Sequence, residues 1–198
     1  MTTIAVLGNG RVGGSLAPAL TRAGHEVTVA DRSPGSAADA ARTAQIVINA
    51  TPGAGSLERL VALREELRDK ILVDVSNATV DGPDGLPADL LHPGSSLAEQ
   101  LQEALPDTRV VKTLNTMLHT VMTAPAALTQ TPTAFLSGED LEAKQVVRGL
   151  LTDLGWHQEW IMDLGGIETA RATEAAILFV PHVIRSSGFA PFAISITR

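Results

Sequence analysis

The chain has 198 residues, a formal net charge of −7 and 44% apolar residues. That length buries one substantial core, and the acidic balance excludes a nucleic-acid backbone as partner. With no cysteine, no tyrosine and only 3% aromatic residues, disulfides, iron–sulfur ligation, thiol nucleophiles and base-stacking platforms are excluded as well.

Ile4-Ala5-Val6-Leu7 is apolar without alternation, the pattern of a strand covered on both faces. Gly8, Gly10 and Gly13 follow in G-x-G-x-x-G spacing. Gly8 suits a sharp turn, Gly10 lets a pyrophosphate approach the backbone, and Gly13 lets a helix pack close to the strand. The helix of residues 12–23 then offers its free N–H groups to the phosphates. It contains Pro18, which removes one hydrogen bond, and Gly24 is placed to end it. A second strand, residues 25–30, ends in Asp31-Arg32-Ser33, where a ribose-reading residue falls. The acid suits the ribose hydroxyls of NAD, and the arginine and serine suit the 2′-phosphate of NADP.

A short helix over 36–44 leads into a buried strand over 45–52, ending at Thr51-Pro52 on the ligand-binding edge. The link from Asp31 to Ile46 has room for one crossover helix and no further strand, so the adenine side is expected to be shallow. An amphipathic helix over 56–68 and a strand over 70–77, again polar at its end, come next. Residues 78–95 are rich in Gly, Pro and Asp and read as a long irregular loop. Ser96 and Glu99 form a capping box opening a helix to about Leu105. Strands over 108–114, 133–137 and 157–163, a helical turn over 117–123 and a helix over 139–154 follow. A last helix from Gly166 is expected to break at Pro181, and the apolar tail after Gly188 to dock on a partner subunit. The expected architecture is α/β: a single, doubly wound, mostly parallel sheet of the Rossmann NAD(P)-binding kind over 1–198. A short C-terminal segment from about 166 stands where a large helical domain is missing.

With these residues in view, the chain resembles the NADPH-dependent reductases of the deazaflavin coenzyme F420, the F420:NADP oxidoreductase family. The likeness lies in Gly8-Asn-Gly-Arg-Val-Gly13, Ala50-Thr-Pro52, Asp74-Val-Ser-Asn77 and Val110-Val-Lys-Thr-Leu-Asn-Thr116. It continues through Ser137-Gly-Glu-Asp, Ala143-Lys144, Asp153-Leu-Gly155, Asp163-Leu-Gly and Thr169-Ala-Arg171. The resemblance implies hydride transfer between a nicotinamide, NADP(H) in preference to NAD(H), and coenzyme F420 or a similar planar acceptor. Alignment then matters more than acid–base chemistry, and no catalytic residue is assigned. Carried over, Asn9, Arg11 and Val12 line the pyrophosphate and nicotinamide. Arg32 and Ser33 take the 2′-phosphate, Thr51 and Pro52 flank the nicotinamide ribose, and Asn77, Asn115 and Thr116 border the acceptor cleft. The chain departs from the family at Asp31, where a small hydroxyl residue is usual, and at Ala78, where proline is usual. It departs also in the short link to Ile46 and in the segment from about Ile177.

Two alternatives stand beside this reading: an imine or carbonyl reductase, and a non-catalytic NAD(P)-binding or redox-sensing module. An enzyme needs an open cleft beside Thr51, Asn77 and Asn115; a binding module would have it filled by residues 78–95 or by the tail. Among possible proton donors, His119 is better placed than His92 or His182, although a half-buried helix histidine is the plainer reading. His25 reads as a solvated loop residue, Lys112 as a surface or interface charge, and Asp74 as a buried carboxylate supporting its loop. Trp156 and Trp160 read as core or interface anchors, and no histidine has metal-ligand spacing. No leader and no apolar span of ~20 residues is visible, so a cytoplasmic protein free of the membrane is expected, as a homodimer with a small-molecule acceptor.

Overall fold

Buried residues along four central strands point alternately to two helical layers, and that alternation organises the chain. The computed structural model describes residues 1–197. In order, the N-terminal part runs β1 (Thr3–Leu7), α1 (Arg11–Arg22), β2 (Glu26–Ala30), α2 (Ser36–Thr43) and β3 (Ile46–Asn49). Then come α3 (Ser56–Val61), α4 (Arg64–Leu67), β4 (Ile71–Asp74), β5 (Thr79–Asp81), β6 (Pro87–Leu90) and α5 (Leu97–Ala104). The C-terminal part runs β7 (Arg109–Lys112), α6 (His119–Met122), β8 (Ala134–Ser137), α7 (Leu141–Asp153) and β9 (Ile161–Gly165). It closes with α8 (Ala170–Ala175) and α9 (Phe179–Ser187).

Seven strands form one sheet in the order β2-β1-β3-β4-β7-β8-β9. All neighbours pair in parallel except β7 and β8. Ile4, Val6, Ile46, Ile48, Ile71 and Val73 face the layer of α1, α6 and α7. Ala5, Leu7, Val47, Leu72 and Val110 face α2, α3, α4, α5 and α8. A sheet clothed on both faces is the expected doubly wound architecture. It ends at β2, with Thr28 and Val29 exposed, so among the described residues no strand lies beyond the one that leads to Asp31.

The structure corrects several expectations. Residues 78–95 are not irregular: β5 and β6 form an antiparallel hairpin, closed by Gly82 N–H to Leu86 O at 2.8 Å. The helix over 56–68 is interrupted between α3 and α4, and the stretch before β9 is a 3₁₀ turn at Gln158–Trp160. Pro181 does not break the last helix but sits in the first turn of α9, where its missing N–H is harmless. The 3₁₀ turn Ala176–Leu178 just before it links α8 to α9. The tail pairs with its own chain: Leu118 N–H donates to Phe192 O at 3.0 Å and Ile194 N–H to Thr116 O at 3.1 Å. Phe189, just before that contact, is 65% exposed. His25 is not solvated; its side chain is 8% exposed and its Nε2 lies 3.0 Å from Asp153 Oδ2. Trp156 is buried and donates from Nε1 to Met122 O at 3.0 Å, as a core anchor should. Among the described residues, no helix is long and apolar enough to cross a membrane.

Candidate functional site

The loops at the carboxyl ends of β1, β2, β3, β4 and β7 gather the predicted residues along one edge of the sheet. The glycines of the first loop divide by role. Gly8 has φ +106°, and a Cβ there would lie 2.7 Å from Ala50 O. A Cβ on Gly13 would lie 1.9 Å from Gly8 O and 3.3 Å from Val6 Cγ1, so this glycine is required for α1 to pack on β1. Gly10 is different. It is exposed, it is the N-cap of α1, and a Cβ there would meet nothing within 4 Å. The first turn of α1 has no side-chain cap and no acidic residue. Packing within the chain therefore explains two of the three fingerprint glycines, and the third leaves bare backbone where a phosphate would approach the helix end. The residues present fit a dinucleotide. Asn9, Arg11, Arg32 and Ser33 are exposed around this turn, and the side chains of Arg11 and Arg32 make no ion pair among the described residues. Val12 is half-buried and packs against the core.

At the end of β2, Asp31 folds back on its own turn. Its Oδ1 accepts the Ser33 backbone N–H at 2.8 Å, and its own N–H donates to Ser36 Oγ at 3.1 Å. The Ser33 hydrogen bonds, with help from Ser36, hold the Asp31 carboxyl below the usual carboxylate range.

The loops after β3 and β4 are one polar assembly. Thr51 Oγ1 donates to Asn49 Oδ1 at 2.6 Å, and Asn49 Nδ2 donates to Asp74 Oδ1 at 2.8 Å and Ser56 Oγ at 3.1 Å. Arg59 Nη2 holds Pro52 O at 2.5 Å and Ala54 O at 3.0 Å, fixing the Thr51-Pro52 bend. A Cβ on Gly53 would stand 2.1 Å from Asn77 O, so the two loops touch backbone to backbone. Ser76 donates from both N–H and Oγ to Asp74 Oδ1, at 3.2 and 2.7 Å, which makes Asp74 the buried loop support that its position suggested.

Lys112 is the main correction within the site. It is buried, not a surface charge. Its Nζ lies 2.7 Å from Asp74 Oδ2, 2.8 Å from Glu174 Oε1 and 2.5 Å from Ser76 O. Burial pulls the ammonium's pKa down, but the attraction of Asp74 and Glu174 outweighs it and the pKa lies above the ordinary value. Glu174 also caps α5, accepting the N–H groups of Leu97 at 2.9 Å and Ala98 at 3.2 Å. Glu174 did not stand out in the sequence, and Lys112 was read there as a surface or interface charge; a lysine inside an apolar strand, opposite an expected buried aspartate, was the available signal.

After β7 the chain turns through Leu114, buried with φ +58°, a left-handed conformation that costs a leucine ~1–2 kcal/mol. The turn delivers Asn115 to Asn77. Asn77 Nδ2 donates to Asn115 O at 2.8 Å and Asn115 Nδ2 to Asn77 Oδ1 at 3.0 Å. Asn115 and Thr116 are 3% and 7% exposed, and the tail pairs with the backbone just beyond them. Thr51 and Asn77 stay half-buried. The tail thus covers the β7 side, and neither it nor the hairpin makes a backbone hydrogen bond to Thr51 among the described residues. His119 joins the first turns of α1: its Nδ1 lies 2.9 Å from Ser15 Oγ, whose proton goes to Arg11 O at 2.9 Å. The imidazole therefore donates from Nδ1. His182 lies away from this assembly, on α9, beside a hollow of about 580 Å³ shared with the hairpin.

A doubly wound sheet with an open glycine at the first helix end, next to the β1/β3 switch point, defines a Rossmann dinucleotide-binding protein. Comparison with known proteins narrows the class. Residues 3–58 match the family described as "NADP oxidoreductase coenzyme F420-dependent". The F420-dependent NADP reductase of Methanocaldococcus jannaschii is 30% identical over 141 residues, covering 69% of this chain and 60% of that protein. The matched region thus spans about three-fifths of that curated relative. A crystal structure from Arthrobacter sp. FB24, assigned provisionally as an F420-dependent NADP-reductase, is 37% identical with a TM-score of 0.91, covering 100% of both chains. A hypothetical protein from Sinorhizobium meliloti, SMa0349, is 31% identical with a TM-score of 0.67, covering 85% of this chain and 88% of that one. The chain belongs to the coenzyme F420-dependent NADP oxidoreductase family.

Proposed function

We propose that this chain is a nicotinamide-dependent oxidoreductase that moves a hydride between NADP(H) and a planar deazaflavin of the coenzyme F420 type. The dinucleotide part is carried by Gly10, the fingerprint glycine whose lack of a side chain serves no contact within the protein. The acceptor part rests on the names of the relatives and on the Asn77–Asn115 pair beside Thr51. A bound nicotinamide supplies a hydride and needs no proton from the protein at the reacting carbon.

The chain's own residues have positioning work. Gly8, Gly10, Gly13 and the first turn of α1 hold the pyrophosphate, with Asn9, Arg11 and Val12 beside it. Asp31, Arg32 and Ser33 meet the adenosine ribose. Thr51 has committed its hydroxyl proton to Asn49 and receives Arg59 Nη2 at 3.3 Å, while Arg59 also keeps Pro52 in place. Asn77, Asn115 and Thr116 form a wall in which Asn77 and Asn115 are paired with each other before any ligand arrives, which limits reorganisation on binding. The protein is read as one NAD(P)-binding domain acting in the cytoplasm as a homodimer, the last on the exposed Phe179 and Phe189.

The test follows the absorbance of oxidised deazaflavin after adding catalytic amounts of the protein with NADPH. Bleaching over many turnovers is the expected result. Absence of bleaching by protein that binds the dinucleotide would remove the deazaflavin and leave a different acceptor.

A further inference from the structure

We infer that the adenosine end of this site is built to read an unphosphorylated ribose, so that the protein takes NAD(H) alongside NADP(H), with Asp31 setting the balance. The inference rests on the dinucleotide reading above and adds which ribose chemistry the site accepts.

Three observations carry it. First, Asp31 occupies the anion position of its own turn. The Ser33 backbone N–H, a donor that a 2′-phosphate in this turn would need, is already bound by Asp31 Oδ1 at 2.8 Å. Asp31 has no cationic partner among the described residues, and its carboxyl is held below the usual range by those same hydrogen bonds. It therefore stays charged throughout the neutral range and repels a phosphate placed beside it.

Second, the groove beside this turn, about 440 Å³, is lined by a second carboxylate, Asp39, and by the hydroxyl residues Thr28, Ser33 and Ser36, with no cation. Arg42 pairs with Asp39 at 2.7 Å from outside that lining. The carboxylates, which only accept, match the two O–H donors of a ribose diol, whereas a phosphate dianion has no donor to give them; the hydroxyls, which donate as well as accept, serve either ligand. Arg32, exposed and without an ion pair, is the group left to attract a 2′-phosphate, which is why NADP(H) is still taken.

Third, β2 is the edge of the sheet. With no strand beyond it, this turn and α2 are the structure available to read the adenosine end, and a single carboxylate there has a correspondingly large say.

The experiment titrates nicotinamide fluorescence of NADH and of NADPH with the purified chain, wild type and Asp31→Asn, Asp31→Ser and Arg32→Ala variants. Circular dichroism confirms that each is folded, as expected for exposed positions. Wild type is expected to bind NADH within threefold of NADPH, or more tightly. Asp31→Asn keeps an acceptor for the Ser33 N–H and removes only the charge. It and Asp31→Ser are expected to move the affinity ratio about tenfold toward NADPH, and Arg32→Ala the opposite way. Wild type binding NADPH more than threefold tighter than NADH, or an unmoved ratio in Asp31→Asn and Asp31→Ser, would overturn the inference while leaving the dinucleotide reading standing. A folded wild type that binds neither would overturn both.

Discussion

The two sides of the candidate site are made in opposite ways. On the β1–β2 side the backbone of Gly10 is bare, Arg11 and Arg32 make no ion pair among the described residues, and the sheet simply stops. On the β4–β7 side nearly every polar atom is spoken for: Asn49, Asp74, Ser76, Lys112 and Glu174 form one buried chain, and Asn77 and Asn115 bond each other. Groups left free can bind, and groups already satisfied can only hold a shape. The first side should therefore govern affinity and the second stability, and substitutions should separate the two.

The largest expected effect is at Lys112. Lys112→Met leaves Asp74 and Glu174 buried without their cation, and a loss of ~3–5 kcal/mol is expected in urea denaturation. A variant as stable as wild type would show that this side is not held by its charges.

The glycines of the first loop should split next. Gly13→Ala drives a Cβ onto Gly8 O and is expected to cost ~3 kcal/mol. Gly10→Ala meets nothing in the protein and should leave the denaturation midpoint in place, while dinucleotide affinity falls about tenfold or more. If both variants lost stability, or neither lost affinity, the contrast between the two sides would fail.

The smallest effect concerns the hairpin. Asp84 accepts the Leu86 N–H at 3.1 Å and pairs with Arg185 of α9 at 2.9 Å, and these contacts, the Leu86 bond first, hold its carboxyl below the ordinary value. A depressed carboxyl stabilises the fold above its unfolded pKa and loses that contribution as pH falls through the folded one. Hydrogen exchange of the β5–β6 amides should thus quicken only on the acid side of about pH 3.8, and Asp84→Asn should abolish that dependence.

What was legible follows the same division. The glycine turn, the Ser96–Glu99 capping box and the strand-end polar residues announce themselves locally, and the structure places them as read: Ser96 Oγ accepts Glu99 N–H at 3.1 Å. The short link after Asp31 was read as one crossover helix with no further strand, and α2 alone lies between β2 and β3. Lys112 was misread because its partners come from residues far along the chain, Asp74 and Glu174, and no local pattern announces such a meeting. His25 was misread for the same reason, since Asp153 reaches it from the end of α7. The hairpin was hidden by its own composition. Asp81-Gly82-Pro83-Asp84-Gly85 reads as loop, and short strands flanking such a turn carry little apolar signal. The tail's docking on residues 116–118 and 133 is backbone pairing, to which side-chain pattern is nearly blind.

Gly53 has a mechanical consequence. Its backbone lies directly on that of Asn77, with no side chain between them to compress or rotate. The Thr51-Pro52 bend and the stem of the hairpin thus mesh without clearance, since Ala78 O receives Leu91 N–H at 3.0 Å and the hairpin in turn grips α9 through Asp84 and Arg185. The bend thus meets the hairpin main chain to main chain, and the hairpin meets a helix more than a hundred residues further on through one exposed ion pair.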